Sequence, residues 1–316
     1  MRKFTILTLA IFFLLSCSSK SEKIERVWED GVEVVINHLK PHKIEDEPSE
    51  LILEEEFRID TEDDEVANTG LTELSDFNVD SEDNIYCLNL RTNENFLYKF
   101  DREGHFITSF IRKGQGPGEL QWLSTPMINN KDEILCYEAY TKKFLTFDRE
   151  GHLIDTEVLR IPLNPMEAAG AVIPLENRYF LVYSGRIDEK AEKLPQYCRL
   201  FNSEWNEIRL LDKNSGTDNF MVAEKINNIE PFLVYAACKD RIYIGNSERG
   251  YEILVYDGQG RLRRKIRKEY KAIPVPEDFK KKRLAGYPEM FKKKVFSPRT
   301  GLLSFRFLPM MKKDYS

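Results

Sequence analysis

The most reactive side chains in this 316-residue sequence are five cysteines and four histidines, and their spacing limits what they can do. Cys17 follows the apolar run 6–15 and Ser16, which places its thiol for covalent modification at a membrane surface. The other four, Cys87, Cys136, Cys198 and Cys238, include no CxxC pair, which argues against a zinc knuckle. Cys87 and Cys136 occupy matching places in Ile85-Tyr86-Cys87 and Ile134-Leu135-Cys136. Repeated positions of that kind stand too far apart for a disulfide, so both read as small buried hydrophobes. His38 and His42 are separated by Leu39-Lys40-Pro41, and the proline prevents a helical pair of ligands. His105 and His152 each follow a turn and belong to outer edges. The acidic stretch Asp80-Ser81-Glu82-Asp83-Asn84 lacks the alternating ligands and glycine of a calcium loop. A glycine-rich run, Gly114-Gln115-Gly116-Pro117-Gly118-Glu119-Leu120, could suggest a phosphate cradle. It has no Gly-Lys-Ser/Thr ending, Pro117 deletes a useful N–H, and no helical pattern follows. No Gly-x-Ser-x-Gly elbow is present. The expectation is therefore no catalytic residue, no metal and no cofactor.

The ends set the compartment. Arg2 and Lys3 precede the apolar run, which is too short to span a bilayer, as in a secretory signal over 1–16. Leu14-Leu15-Ser16-Cys17 resembles the lipobox of bacterial lipoproteins, which implies a diacylglycerol on Cys17 and cleavage before it. Residues 17–30 then read as a lipid-anchored tether and 31–316 as the folded domain. Ser18 rather than Asp follows the cysteine, so the inner-membrane retention signal known in some bacteria is missing. The expected location is the cell envelope, on the periplasmic or the surface side. A net charge of −6 with 32% charged residues gives no overall attraction to nucleic acid.

What must position any site is a repeat. Phe100-Asp101-Arg102-Glu103-Gly104-His105 recurs unchanged as Phe147-Asp148-Arg149-Glu150-Gly151-His152. Tyr256-Asp257-Gly258-Gln259-Gly260-Arg261 is a clear further copy, and Phe201-Asn202-Ser203-Glu204-Trp205-Asn206 a fainter one. A second strand lies upstream of each copy, as in Ile85-Tyr86-Cys87-Leu88. Asp101, Asp148 and Asp257 would cap local N–H groups, and Gly104, Gly151 and Gly260 would take positive φ. In the first unit the expected strands cover 75–80, 85–89, 96–101 and 105–111. Four antiparallel strands cannot cover both faces alone. Stacking such sheets around an axis does so, which predicts an all-β chain of four-stranded propeller blades.

With the glycine-rich run and the preceding Asp83-Asn84-Ile85-Tyr86, the chain resembles the six-bladed β-propeller lipoproteins related to NHL-repeat proteins, over about residues 32–296. That resemblance implies that Gly114, Gly116, Pro117 and Gly118 link the outer strand of one blade to the inner strand of the next. It also implies that N-terminal strands, expected at 32–36 and 51–59, pair with the last blade and close the ring. Four units are legible where the family has six. A short helix is expected from Pro276 through the basic stretch to Arg283, and the segment 302–307 with a basic tail departs from the pattern, so an incomplete ring is expected. Charge is uneven: 45–65 holds twelve acidic residues and one basic, whereas 261–294 holds fourteen basic and four acidic. That asymmetry reads either as a patch for anionic lipid or surface polymer, or as chain ends whose charges offset one another. The functional expectation is a membrane-anchored binding or scaffolding protein for a protein, peptide or glycan ligand. The alternative is a propeller-type hydrolase or lyase, with a metal or charged cluster on the axis.

Overall fold

An Asp or Asn followed three places later by a residue of positive φ is the signal that reverses this chain. Asp101 Oδ1 accepts the N–H groups of Glu103 at 2.9 Å and His105 at 2.8 Å, while Gly104 sits at φ +90°. The backbone closes around it, Asp101 N donating to His105 O and Gly104 N to Asp101 O. Asp148 with Gly151 and Asp257 with Gly260 make the same turn. So do Asp80, Asn129 and Asn202, with Asp83, Asp132 and Trp205 at the positive-φ place. This is the three-residue hairpin loop that ends in a left-handed residue and a bulge.

The computed structural model describes residues 24–38, 43–44, 47–48, 54–92, 94–124, 126–176, 178–227, 231–238, 240–271, 273–274, 276–286, 289–296 and 300–301. Two N-terminal strands, β1 (Ile24–Glu29) and β2 (Val32–Asn37), precede a short helix, α1 (Asp64–Ala67). Blade one is β3 (Asp76–Val79), β4 (Ile85–Leu88), β5 (Asn95–Phe100) and β6 (Phe106–Arg112). Blade two is β7 (Met127–Ile128), β8 (Ile134–Glu138), β9 (Lys143–Phe147) and β10 (Leu153–Val158). Blade three is β11 (Glu167–Pro174), β12 (Tyr179–Arg186), β13 (Gln196–Asn202) and β14 (Glu207–Lys213). Blade four is β15 (Leu233–Cys238), β16 (Arg241–Asn246), β17 (Glu252–Asp257) and β18 (Leu262–Lys268). Each is an antiparallel meander, and the arrangement is a β-propeller. The register slips at Phe100, Phe147, Phe201 and Tyr256, the aromatic that opens every copy of the repeat. The bulge and the turn are thus one device.

The core lies between blades. Tyr86, Leu88 and Phe110 of blade one meet Ile134, Leu145 and Phe147 of blade two. Tyr137 of blade two packs with Val172, Val182 and Phe201 of blade three. Leu181, Leu200 and Leu211 of blade three meet Ile242, Ile244 and Leu254 of blade four. Burying such a side chain contributes about 1.5–3 kcal/mol, so most of the stability resides in these layers. The other face of blade one is covered by Leu71, Val66 and Ile59 against Cys87, Tyr98 and Phe100.

Three sequence expectations need correction. Residues 24–29, read as tether, form β1, because Asp30 (φ 50°) and Gly31 (φ 77°) make a two-residue hairpin turn whose flanking strands alternate. The strand expected at 51–59 is not one over 54–59. That stretch is irregular, and Phe57 and Ile59 lie against Gly104, where Phe110 lies against Gly151 in the next blade. The N-terminal strands do join blade four, but on its outside: β2 runs parallel to β18, giving the sheet order β1-β2-β18-β17-β16-β15. They lengthen one blade. Helix α2 (Glu277–Ala285) occupies the place expected for a helix and is followed by α3 (Glu289–Lys292). Cys17, His42 and the segment 302–307 lie outside the described residues.

Charge holds the added hairpin in place. Glu29 bonds Arg267 Nη1 at 2.5 Å and Nη2 at 2.9 Å, and Glu33 bonds Arg264 Nε at 2.6 Å. The Arg267 guanidinium keeps the Glu29 carboxyl below its ordinary value, and Arg26 with Arg264 does the same for Glu33. With the folded values depressed, this stabilisation is complete above about pH 4.3 and is lost as the pH falls through them. Hydrogen exchange of the amides in β1 and β2 at pH 3, corrected for intrinsic rates, is therefore expected to outrun that of blades two and three. Uniform protection would contradict this account.

Candidate functional site

The turns described above gather at one end of the blades, and the hairpins and crossovers at the other. Antiparallel pairing puts the first and third turns of every blade on one face, here the turn face. The central hairpin and the link to the next blade lie on the opposite, loop face. Asn78 Nδ2 donating to Pro126 O and Ser81 donating to Asp132 align blades one and two in this sense.

The turn face is a closed polar weave. Asp132 accepts from Ser81 N at 3.0 Å, Ser81 Oγ at 2.6 Å and Arg149 Nη2 at 3.0 Å. Burial pushes its carboxyl up, but Ser81 and Arg149 outweigh this and hold it low. His105 Nδ1 meets Asp101 Oδ2 at 3.0 Å and His152 Nδ1 meets Asp148 Oδ2 at 2.9 Å, so each histidine is tied to its own turn. Among the described residues, no three His, Cys, Asp or Glu side chains gather as a metal-ligand set.

The loop face is different. Its exposed side chains include Leu74, Trp122, Tyr140, Met166, Ile187 and Met221, whereas the described turns opposite are polar, with the exposed Trp28, Phe57, Phe106 and Leu153 flanking them. These residues are held by built contacts. The carboxylate of Glu138, at the end of β8 and 1% exposed, accepts from Gln121 N at 2.6 Å, Trp122 N at 3.3 Å and the Thr141 hydroxyl. One buried group therefore fixes both the crossover bearing Trp122 and the hairpin bearing Tyr140. In blade three Ile187 N donates to Met166 O at 2.8 Å, placing two apolar residues side by side. Asn219 Oδ1 accepts from Met221 N, and its Nδ2 donates to the carbonyls of Asp188, Glu189 and Ala191, joining two loops.

The glycine-rich run leaves β6 at this face and leads to β7. Glu119 folds back so that its carboxylate accepts from Gly116 N at 2.9 Å, and a Cβ on Gly114 would stand 2.0 Å from Glu119 Oε2. A carboxylate from the chain itself thus fills the space that an anionic ligand of this loop would need. Gly118 sits at φ +75° beside Leu153 and Phe147. Pro117 needs no backbone donor there, since the loop closes through Gly114 N to Leu120 O and Glu119 N to Gly116 O.

Sequence reasoning missed the loop-face residues because scattered Trp, Tyr, Met and Ile in variable hairpins carry no spacing. The available signal was Glu138 directly after the apolar run 134–137, a charge in a place that burial makes costly unless it is bonded. The four described cysteines, Cys87, Cys136, Cys198 and Cys238, are free. Burial pushes the Cys87 thiol up to about 11 and those of Cys136 and Cys198 further still. In native protein at pH 8 these three are expected to resist iodoacetamide and to react fully in denaturant, as read by mass shift. Fast labelling of Cys136 in the native state would contradict the inter-blade packing.

No curated protein matches the sequence. Among solved structures, the chain is similar to a protein described as exported from Bacteroides fragilis NCTC 9343, at 16% identity and TM-score 0.41, covering 67% of this chain and 55% of that one. It is also similar to a Bacteroides caccae protein of unknown function, at 12% and 0.34, covering 61% and 71%. Virginiamycin B lyase from Staphylococcus aureus matches at 12% and 0.35, covering 63% and 70%. The chain thus spans about half the length of the Bacteroides fragilis protein. A family model described as 6-bladed beta-propeller, DUF5128, matches residues 71–236, more than half of the sequence, and the chain belongs to that family.

Proposed function

We propose that this chain is a lipid-anchored binding protein of the cell envelope whose propeller takes a protein or peptide ligand on its loop face. The signal-like start and Cys17 in Leu14-Leu15-Ser16-Cys17 support export and anchoring. The observation that carries the binding role is the asymmetry between faces, with apolar and aromatic residues on one and polar turns on the other. Exposed Leu, Ile and Met offer nothing to sugar hydroxyls but adapt well to apolar side chains of a polypeptide. Trp122 and Tyr140 add rigid area at low entropic cost, the usual composition of an energetic centre.

The test uses a photo-crosslinking residue placed in turn at 122, 140 and 166, with 103 and 150 on the turn face as controls. Adducts from the loop face alone are expected in intact envelopes, and Trp122→Ala with Tyr140→Ala should remove those formed at 166. Equal labelling from both faces would overturn the assignment.

A further inference from the structure

The loop end of blade four collects three features that the ligand site does not use. β18 runs from the turn face to the loop face and ends at Lys268, followed by Tyr270 and Lys271, all exposed. β2 runs beside it in parallel, and β1 pairs antiparallel to β2, so Ile24 lies opposite Asn37, which lies opposite Lys268. The chain therefore enters the propeller at this same end. The segment after β18 begins and ends at this face. It passes through α2 and α3, and Lys294 returns to the link between blades three and four, its carbonyl accepting from Ile226 N and its Nζ donating to Ala223 O. Along that path Lys281, Lys282 and Lys293 are exposed, and among the described residues none of the three has an ion-pair partner.

We infer that this sector rests on anionic lipid headgroups and acts as the second anchor beside the acyl chains. The inference rests on the anchoring of Cys17 proposed above. Six residues, 18–23, separate Cys17 from Ile24, and at the reach of an extended chain that step spans at most about 25 Å. An anchor so short holds the end of the fold at which β1 begins against the bilayer. What the bilayer then meets includes the exposed Lys281, Lys282 and Lys293, in a sequence whose net charge is −6. Overall attraction to an anionic surface is absent, so contact requires the positive sector to face it. Acyl chains combined with a basic patch are a physically sufficient pair for stable attachment. In this orientation the loop face looks toward the membrane plane, and its ligand is met there.

The protein is purified from membranes and placed in vesicles of phosphatidylcholine, with or without phosphatidylglycerol. Tryptic cleavage after Lys281, Lys282 and Lys293 is expected to slow in the anionic vesicles only, and to recover at high salt. In parallel, the mature chain carrying Cys17→Ser is floated with the same vesicles. Each surface lysine strengthens such binding about fivefold, so the triple variant K281Q/K282Q/K293Q should lose roughly a hundredfold. Equal cleavage in both vesicles, or unchanged flotation of the triple variant, would overturn the inference. So would protection by soluble polyphosphate with none by anionic vesicles. The mass of the Cys17 peptide reports the anchor separately: an unmodified cysteine sinks the anchoring alone, while flotation of the serine chain still reads the lysine patch.

Discussion

Gly151→Ala is expected to lower the unfolding free energy by about 2–5 kcal/mol, a large part of the total for a single domain. Two costs add. Gly151 stands at φ +90°, where a side chain on an L-residue meets its own backbone at roughly 1–2 kcal/mol. Its added Cβ would also lie 2.5 Å from Phe110 Cγ and 2.9 Å from Phe110 Cβ, on the outer strand of the preceding blade. Phe110 is 9% exposed and packs on Phe147, so it has little room to yield, and forced overpacking costs about 1–3 kcal/mol. Gly31 is the control, since it has φ +77° and nothing within 4 Å of its Cβ position. Gly31→Ala should cost only the backbone part, about 1–2 kcal/mol. Urea unfolding of both variants separates the two effects, and equal losses would show that blade stacking does not constrain the turn.

That pair of glycines also shows how far the sequence could be read. The recurrence of Phe-Asp-Arg-Glu-Gly-His made the blades legible because one local device, an Asp capping its own turn ahead of a positive-φ residue, repeats wherever a third strand ends. The unit strands were placed to within a residue or two in blade one. The fainter copy at Asn202 is explained by Trp205, which takes the glycine's place at φ +61° and stacks on Phe180 with ring centroids 4.6 Å apart. What stayed hidden depends on distant partners. Segment 54–59 has the alternation of a strand, yet Phe57 is used to cover Gly104. The edge pairing of β2 with β18 joins residues more than two hundred places apart, and no local pattern reports it. The loop-face residues share a surface only because blade topology brings their hairpins to one end.

Arg199→Leu is expected to cost about 3–5 kcal/mol, the usual loss when one partner of a buried ion pair is removed. Arg199 on β13 reaches Glu167 at the start of β11 at 2.9 Å, donates to Ser184 Oγ at 2.7 Å and lies over the Tyr197 ring. Both charged side chains are about nine-tenths buried, at 12% and 10% exposure, so neither has much solvent to fall back on. The leucine variant strands the Glu167 carboxylate in that setting, and this carboxylate, rather than the lost attraction, supplies most of the penalty. Replacing Glu167 by Leu as well should therefore restore much of the stability, giving a strongly non-additive double-mutant cycle in urea. The consequence for function follows from chain continuity. Glu167 adjoins Met166, whose carbonyl receives Ile187 N, so a stranded and displaced Glu167 moves both apolar residues on the loop face. The single variant should then lose crosslinking at position 166 at temperatures where the fold is intact, and the double variant should regain it. Additive losses, or crosslinking that follows global unfolding alone, would mean that the buried pair fastens blade three without setting the binding surface.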